Sequence, residues 1–234
     1  MYPSNAKPTI IFDDLGVCSG CRTIESRKKI NWVDRKKQLD ELIKEYKSIA
    51  KKNNSAYDCI IPVSGGKDST YQTYLMKEVY KMNPLLVTFN HTFNTPLGGR
   101  NLKNLVKQFS CDLIRFTANR DSIKKITSFM LKQIGDITWH YHSGIMTFPM
   151  QVAAQYKIPL IIWGEEGFSE LTGMFNQDDM IEFTKMKRQE HDMRGYEPED
   201  LIEKSNNFIT KQDLAAYYYP EDEIIEKLNL RGIY

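Results

Sequence analysis

The stretch Tyr57-Asp58-Cys59-Ile60-Ile61-Pro62-Val63-Ser64-Gly65-Gly66-Lys67-Asp68-Ser69 decides the fold. Residues 57–63 are a short apolar run, consistent with a buried strand. Pro62 is a mild objection to a central place in a sheet, because it lacks a backbone N–H to donate. Ser64–Ser69 follows with two glycines, and then Tyr71, Leu75, Val79 and Met82 mark one face of a helix. A glycine-rich turn between a strand and a helix is where an α/β sheet binds anions. The two glycines let backbone N–H groups close on a phosphate with no side chain in the way. Ser64 and Ser69 can donate hydroxyls to phosphate oxygens. Lys67 supplies positive charge where leaving-group charge builds up, and Asp68 can hold Mg²⁺ directly or through water. The competing reading is an ordinary Gly-rich turn with a Ser cap. The complete hexapeptide in this setting favours phosphate binding.

Working outward, the same alternation repeats. Upstream, Leu39, Leu42, Ile43, Tyr46, Ile49 and Ala50 fall on one face of a helix beginning near Asp34, read as its N-cap, and ending at Asn53-Asn54-Ser55. Downstream, strands are expected at 85–90, 112–116 and 158–163. Helices are expected from Asn101 to about Phe109, over 122–134 and over 147–156, with Pro96-Leu97-Gly98-Gly99 as a loop. Short apolar strands alternating with helices imply an α/β fold with a parallel sheet flanked by helices. Residues 1–33 read as irregular, with a short strand at 9–12 and a turn at Asp13–Gly16.

The hexapeptide is not the mononucleotide P-loop. The upstream glycine of that motif falls within the apolar strand here, and Asp68 stands where it has Ser or Thr after the Lys. The sequence instead resembles the pyrophosphate loop of the N-type ATP pyrophosphatases, which include GMP synthetase, ammonia-dependent NAD synthetase and tRNA-thiolating enzymes. That resemblance implies a PP-loop, adenine nucleotide alpha hydrolase-like fold. It also implies adenylation of a carbonyl oxygen, release of pyrophosphate, and displacement of AMP by a nitrogen or sulfur nucleophile. Several further stretches resemble the N-acetyl sugar amidotransferases: Tyr2-Pro3-Ser4-Asn5, Phe12-Asp13, Gly16-Val17-Cys18-Ser19-Gly20-Cys21, Ser64–Tyr71, Arg100-Asn101-Leu102, Pro159–Glu165 and Met193-Arg194-Gly195-Tyr196. This narrower resemblance implies an ATP-dependent enzyme of lipopolysaccharide and flagellin-sugar biosynthesis, including the pseudaminic-acid type. Its substrate would be a nucleotide-activated acetamido sugar, converted to an acetamidino sugar with ammonia from a class I glutaminase.

The resemblance also distributes roles along the chain. Lys67 and Asp68 would be catalytic. ATP would be bound by Ser64, Gly65, Gly66, Lys67, Asp68 and Ser69, by Phe89 and Asn90 at the end of the second strand, and by Gly164 and Glu165 at the end of the fourth. Asp68 and Glu165 would hold magnesium. Phe89-Asn90 reads equally as plain loop chemistry, and Gly164-Glu165-Glu166-Gly167 as an exposed turn. Cys18 and Cys21 would be half of a four-thiolate zinc knuckle; Cys59 and Cys111 read as core thiols. Family chains carry another Cys-X-X-Cys before Tyr2-Pro3 and continue past Leu230–Tyr234. The expected organisation is therefore an N-terminal Cys-X-X-Cys segment over 1–33 and a PP-loop domain over 34–234, cut short at both ends.

Other residues carry weaker signals. His140 and His142 stand at i and i+2, a spacing that shares a face only on a strand; packing or substrate hydrogen bonding is favoured over metal. His191 and Arg194 can meet a sugar or phosphate or simply lie at the surface. Tyr217-Tyr218-Tyr219 reads as packing or an interface.

Composition bounds these readings. The chain has 234 residues, 32 Lys plus Arg against 30 Asp plus Glu, and a net charge of +2, which argues against a globally electrostatic nucleic-acid binder. At 41% hydrophobic and 26% charged, it has the composition of an ordinary folded chain. No apolar run approaches the roughly 18 residues of a membrane span, and the N-terminus has no secretory pattern. Four cysteines are too few for a disulfide scaffold, so a cytoplasmic protein is expected. Charge is segregated: residues 22–52 hold 11 basic and 5 acidic residues, and residues 161–204 hold 12 acidic and 5 basic. Such runs are usually solvated faces. Two alternatives stand beside the amidotransferase. One is a tRNA-sulfurating or other adenylating enzyme with the same loop; the other is a nucleotide-binding fragment without activity.

Overall fold

The apolar run after Tyr57 is the middle strand of a sheet. The structure is a computed structural model and describes residues 10–164 and 185–234. Among the described residues, five strands form one sheet: β1 (Cys59–Pro62), β2 (Pro84–Asn90), β3 (Leu113–Thr117), β4 (Leu160–Ile162) and β5 (Arg231–Ile233), in the order β3-β2-β1-β4-β5. Every pairing is parallel, with Ile61 opposite Leu86, Val87 opposite Ile114, Ile60 opposite Ile161 and Ile161 opposite Gly232. The fold class is thus α/β with a parallel sheet flanked by helices. The chain runs outward from β1 through β2 to β3, then returns to the other side of β1 with β4. The topological switch point therefore lies between β1 and β4, and a ligand crevice is expected beyond their carboxyl ends.

Pro62 is tolerated because of where it falls. The Val63 N–H points toward β2 and donates to the Val87 carbonyl at 2.8 Å. The missing N–H of Pro62 is therefore on the β4 side, where the registered pairing is Ile60 with Ile161.

Side-chain alternation divides the core. On one face Cys59, Ile61, Val63 and Leu86 pack with Ile43 and Tyr46 of α2 (Trp32–Lys52), Met76, and Leu102, Leu105 and Phe109 of α4 (Pro96–Phe109). On the other face Ile60, Leu85, Val87 and Ile161 pack against Met150, Val152 and Ala153 of α6 (Trp139–Tyr156). A third cluster joins Phe89 to Ile126 and Met130 of α5 (Arg120–Ile134), to Trp139, and to Met193, Leu201 and Tyr217. Between β1 and β2 runs α3 (Lys67–Tyr74), continued by a wider π-type turn at Leu75–Val79. No helix among the described residues is long and apolar enough to cross a membrane.

Several boundaries differ from expectation, each for a local reason. α2 begins at Trp32 because Asn31, not Asp34, is the cap: Asn31 Oδ1 accepts from the N–H groups of Val33 and Asp34 at 3.1 and 3.3 Å. Asp34 sits in the first turn, where its charge suits the helix dipole. Pro96–Gly99 is not a loop but the first turn of α4, capped by Thr95 Oγ1, which accepts from the Gly98 N–H at 3.1 Å; proline needs no N–H there. α6 starts at Trp139 rather than 147, since its buried residues lie on most sides and show no amphipathic period. Residues expected to be irregular include a helix, α1 (Ser19–Ser26), and the strand expected at 9–12 is a lone antiparallel bridge between Phe12 and Cys18. Thr9 lies outside the described residues.

Candidate functional site

The glycine loop joins the end of β1 to the start of α3. Gly65 adopts φ +82°, in the left-handed region, and a Cβ there would stand 2.8 Å from the Leu102 amide nitrogen of α4. The loop is thus pressed onto a neighbouring helix at Leu102. Gly66 is the N-cap of α3 and has no side-chain capping bond. The first-turn N–H groups of α3 are left without a side-chain cap, the arrangement that receives an anion. Around them, Ser64 Oγ accepts from the Gly66 N–H at 3.2 Å, and Ser69 Oγ and Thr70 Oγ1 donate to the Gly66 carbonyl at 3.3 and 2.8 Å. Lys67 Nζ and Asp68 Oδ1 lie 2.7 Å apart and both side chains are exposed.

Beyond the strand ends lies a cavity of about 450 Å³. Its floor is Pro62 of β1 and Val63 just after it, Val87 and Thr88 of β2, and Trp163 after β4. Ser64, Asp68 and Ser69 form one side, with Gly164 beside them. The opposite wall includes His91, Asn94, Arg115, Tyr141, His142 and Pro149. Gly65, Gly66 and Lys67 border a second, open groove of about 650 Å³ between α3 and α4, with Tyr71, Tyr74, Asn101, Asn104 and Gln108. The hexapeptide is therefore a partition between two depressions. The α3 side and the β4 side are tied together by the Gln72 carboxamide, which donates to the Trp163 carbonyl.

The structure gathers Ser64, Asp68, Ser69, Phe89 and Gly164 around the cavity. The Phe89 ring is buried over Gly144, 5.5 Å from the Phe116 ring and 5.9 Å from the Tyr217 ring. Asn90 does not line the cavity; its carboxamide donates to Thr117 Oγ1 and accepts from Thr92 and Asn94, which shapes the loop after β2. Glu165, Glu166 and Gly167 lie outside the described residues, as does Tyr2-Pro3-Ser4-Asn5. Arg115, His91 and Tyr141 were missed by the motif reading. Arg115 carried a usable signal, a cation inside an otherwise apolar strand.

His140 and His142 lie on a helix and so diverge. His140 is 1% exposed, and burial holds its pKa below the ordinary histidine value. His142 reaches the cavity, and burial lowers its pKa as well, followed by the charge of Arg194. Among the described residues lining this cavity are the carboxyl group of Asp68, the imidazoles of His91 and His142 and the guanidinium of Arg115.

The cysteines form two classes. Cys18 caps α1, its sulfur accepting from the Cys21 N–H at 3.4 Å, and that bond lowers its pKa. The thiol of Cys21 is raised by its hydrogen bond to Cys18. Cys59 and Cys111 are buried, and burial pushes both thiols up. Among the described residues no group of three or more His, Cys, Asp or Glu is gathered for a metal. Cys18 and Cys21 alone cannot close a tetrahedral zinc site, so the residues described do not fit that metal. Asp68 fits Mg²⁺, which commonly takes one or two carboxylates and completes its shell with phosphates and water.

No family model matches the chain. It is 31% identical over 121 residues to an uncharacterized protein of Methanocaldococcus jannaschii, a match covering 52% of this chain and 41% of that relative. The chain thus spans less than half the length of the curated relative it matches. Among solved structures it is similar to the NH3-dependent NAD synthetase of Campylobacter jejuni, with 14% identity, 85% of this chain and 92% of that one covered, and a TM-score of 0.43. It is also similar to the NMN synthetase of Francisella tularensis, with 11% identity, 82% and 92% covered, and a TM-score of 0.40. A third is a tRNA thiolase of Methanococcus maripaludis with its 4Fe–4S cluster, with 20% identity, 55% and 47% covered, and a TM-score of 0.33. At these scores the sheet order and register above, rather than the superpositions, define the fold.

Proposed function

We propose that the chain is an ATP-dependent N-acetyl sugar amidotransferase of the PP-loop pyrophosphatase type. The observation that carries the reading is the uncapped N-terminus of α3 behind Ser64-Gly65-Gly66, beside a cavity at the switch point between β1 and β4. In this reading the loop amides and the hydroxyls of Ser64 and Ser69 hold the pyrophosphate of the substrate ATP. Lys67 balances the charge that builds on the pyrophosphate as it leaves. Asp68, released from Lys67 by rotation, is the group that would hold Mg²⁺, whose charge would favour departure of pyrophosphate. The acetamido oxygen of a nucleotide-activated sugar attacks the α-phosphorus and pyrophosphate leaves. Ammonia from a class I glutaminase then replaces AMP at the activated carbon. An amide oxygen is a poor leaving group and an O-adenylate a good one, which is why ATP is consumed.

The experiment is an assay for AMP and pyrophosphate with an acetamido sugar nucleotide and an ammonium salt in place of the glutaminase. Release that requires both co-substrates supports the reading. Release that ignores the sugar contradicts it.

A further inference from the structure

Opposite the glycine loop, the cavity wall carries one ring nitrogen whose protonation is fixed from behind. His142 stands in the first turn of α6 and lines the cavity. Its Nδ1 lies 3.2 Å from Thr138 Oγ1. Thr138 has a single hydroxyl hydrogen, and that hydrogen is committed: Oγ1 is 2.5 Å from Asp136 Oδ1, which also accepts the Thr138 N–H at 2.6 Å. Asp136 Oδ2 faces Arg194 Nε at 3.6 Å. Burial opposes ionisation of Asp136, but the two Thr138 bonds and Arg194 more than offset it, so its pKa lies below the ordinary carboxylate value. An ionised carboxylate only accepts, so Thr138 must donate to it and can only accept from the ring. Nδ1 therefore carries the hydrogen of the neutral ring, and Nε2 keeps its lone pair. Thr138 is the one hydrogen-bond partner of that ring among the described residues.

We infer that His142 Nε2 is the base that takes the proton from the attacking amine, with Asp136, Thr138 and Arg194 as its positioning residues. This rests on the amidotransferase reading. The lone pair of ammonia forms the new C–N bond at the adenylated carbon. A proton of the resulting ammonium group moves to Nε2. The C–O bond breaks with AMP keeping the electron pair, and the imidazolium returns its proton to solvent. A base is wanted here because an amine that cannot shed its proton is a better leaving group than AMP and returns to solution. The groups facing the ring are Asp136 and Arg194 behind it, His140 and His91 as neighbouring imidazoles, and Asp68 and Arg115 around the cavity. Burial first, and then the charge of Arg194, outweigh Asp136 and hold the pKa of His142 below the ordinary histidine value, so the ring is neutral and able to accept at pH 7.

The test separates the two half-reactions and adds a readout that needs no turnover. Adenylation is followed as sugar-dependent ATP–pyrophosphate exchange without ammonia, and amination as acetamidino product with ammonia. His142→Gln is expected to lower amination on the order of 10²-fold, at least about tenfold more than it lowers exchange. Thr138→Ala should lower amination about tenfold and move the acid limb of its pH profile, and Thr138→Ser should restore both. In parallel, ¹⁵N NMR of the ring should show hydrogen on Nδ1 and none on Nε2 at pH 7. Equal loss of both half-reactions in His142→Gln, unchanged amination, or a ring with hydrogen on Nε2 would overturn the inference. Wild-type protein without sugar-dependent exchange would instead overturn the amidotransferase reading, and the ring spectrum would still decide whether Nε2 is an acceptor.

Discussion

Gly65 and Leu102 approach so closely that the first atom of any side chain at 65 would stand 2.8 Å from the Leu102 backbone nitrogen. The same glycine has φ +82°, so an L-residue there meets both a steric and a conformational penalty. Gly65→Ala is expected to cost about 1–3 kcal/mol of stability. Gly66 differs: its φ is −79° and the nearest atom to a new Cβ is Ser64 Oγ at 3.2 Å. Gly66→Ala should stay within about 0.5 kcal/mol of wild type. Urea denaturation of the two variants checks the pair, and equal midpoints would refute this account of the loop.

Asp213 makes a pH prediction. Its carboxylate accepts from Ser122 Oγ at 2.6 Å, from the Thr210 N–H and Oγ1 at 2.9 Å each, and from Lys125 Nζ at 3.1 Å. Burial works to raise its pKa, but these donors outweigh it and hold the carboxyl well below the usual range. A depressed folded pKa means that the stabilisation is present above the unfolded value of about 3.9 and is lost as pH falls below it. Asp213→Asn should therefore cost about 2 kcal/mol at pH 7. The gap between variant and wild type should narrow toward pH 3. A gap that stays constant between pH 7 and pH 3 would refute this.

The thiols should react in a fixed order. Cys18, with its lowered pKa, should be alkylated first, about tenfold faster than Cys21, while Cys59 and Cys111 should react only on unfolding. Cys18→Ser removes the sulfur that raises Cys21, so Cys21 should then react faster than in wild type. Mass spectrometry of timed iodoacetamide labelling reads each site. Slower labelling of Cys21 in Cys18→Ser would contradict the hydrogen-bond assignment.

The sheet was legible where the apolar signal is local. β1 to β4 are short runs of Ile, Leu and Val, and each lies within a residue or two of its expected place. β5 was not legible: Arg231-Gly232-Ile233 has no run of its own and becomes a strand because Leu160–Ile162 offers a free edge. The helix over 139–156 was half read, since a segment buried on most sides has no period and Pro149 lies inside it. Of the site, the glycine loop was legible because one backbone turn writes it contiguously. On the opposite wall His142 was legible as a polar candidate, as was Arg194 behind it, but what joins them was not: Thr138 and Asp136 link the ring to Arg194 by hydrogen bonds and an ion pair, and no spacing rule reaches the more than fifty positions between Asp136 and Arg194.

The central claim is that the Ser64–Ser69 loop grips pyrophosphate, so that ATP is cleaved between its α and β phosphorus atoms. The most direct measurement is ³¹P NMR of the products formed from ATP with an acetamido sugar nucleotide and ammonia. The account predicts AMP and pyrophosphate in equal amounts, and a fall on the order of 10²-fold in Lys67→Ala and in Asp68→Ala. ADP and phosphate as products, or AMP formation at the full rate in either variant, would contradict it.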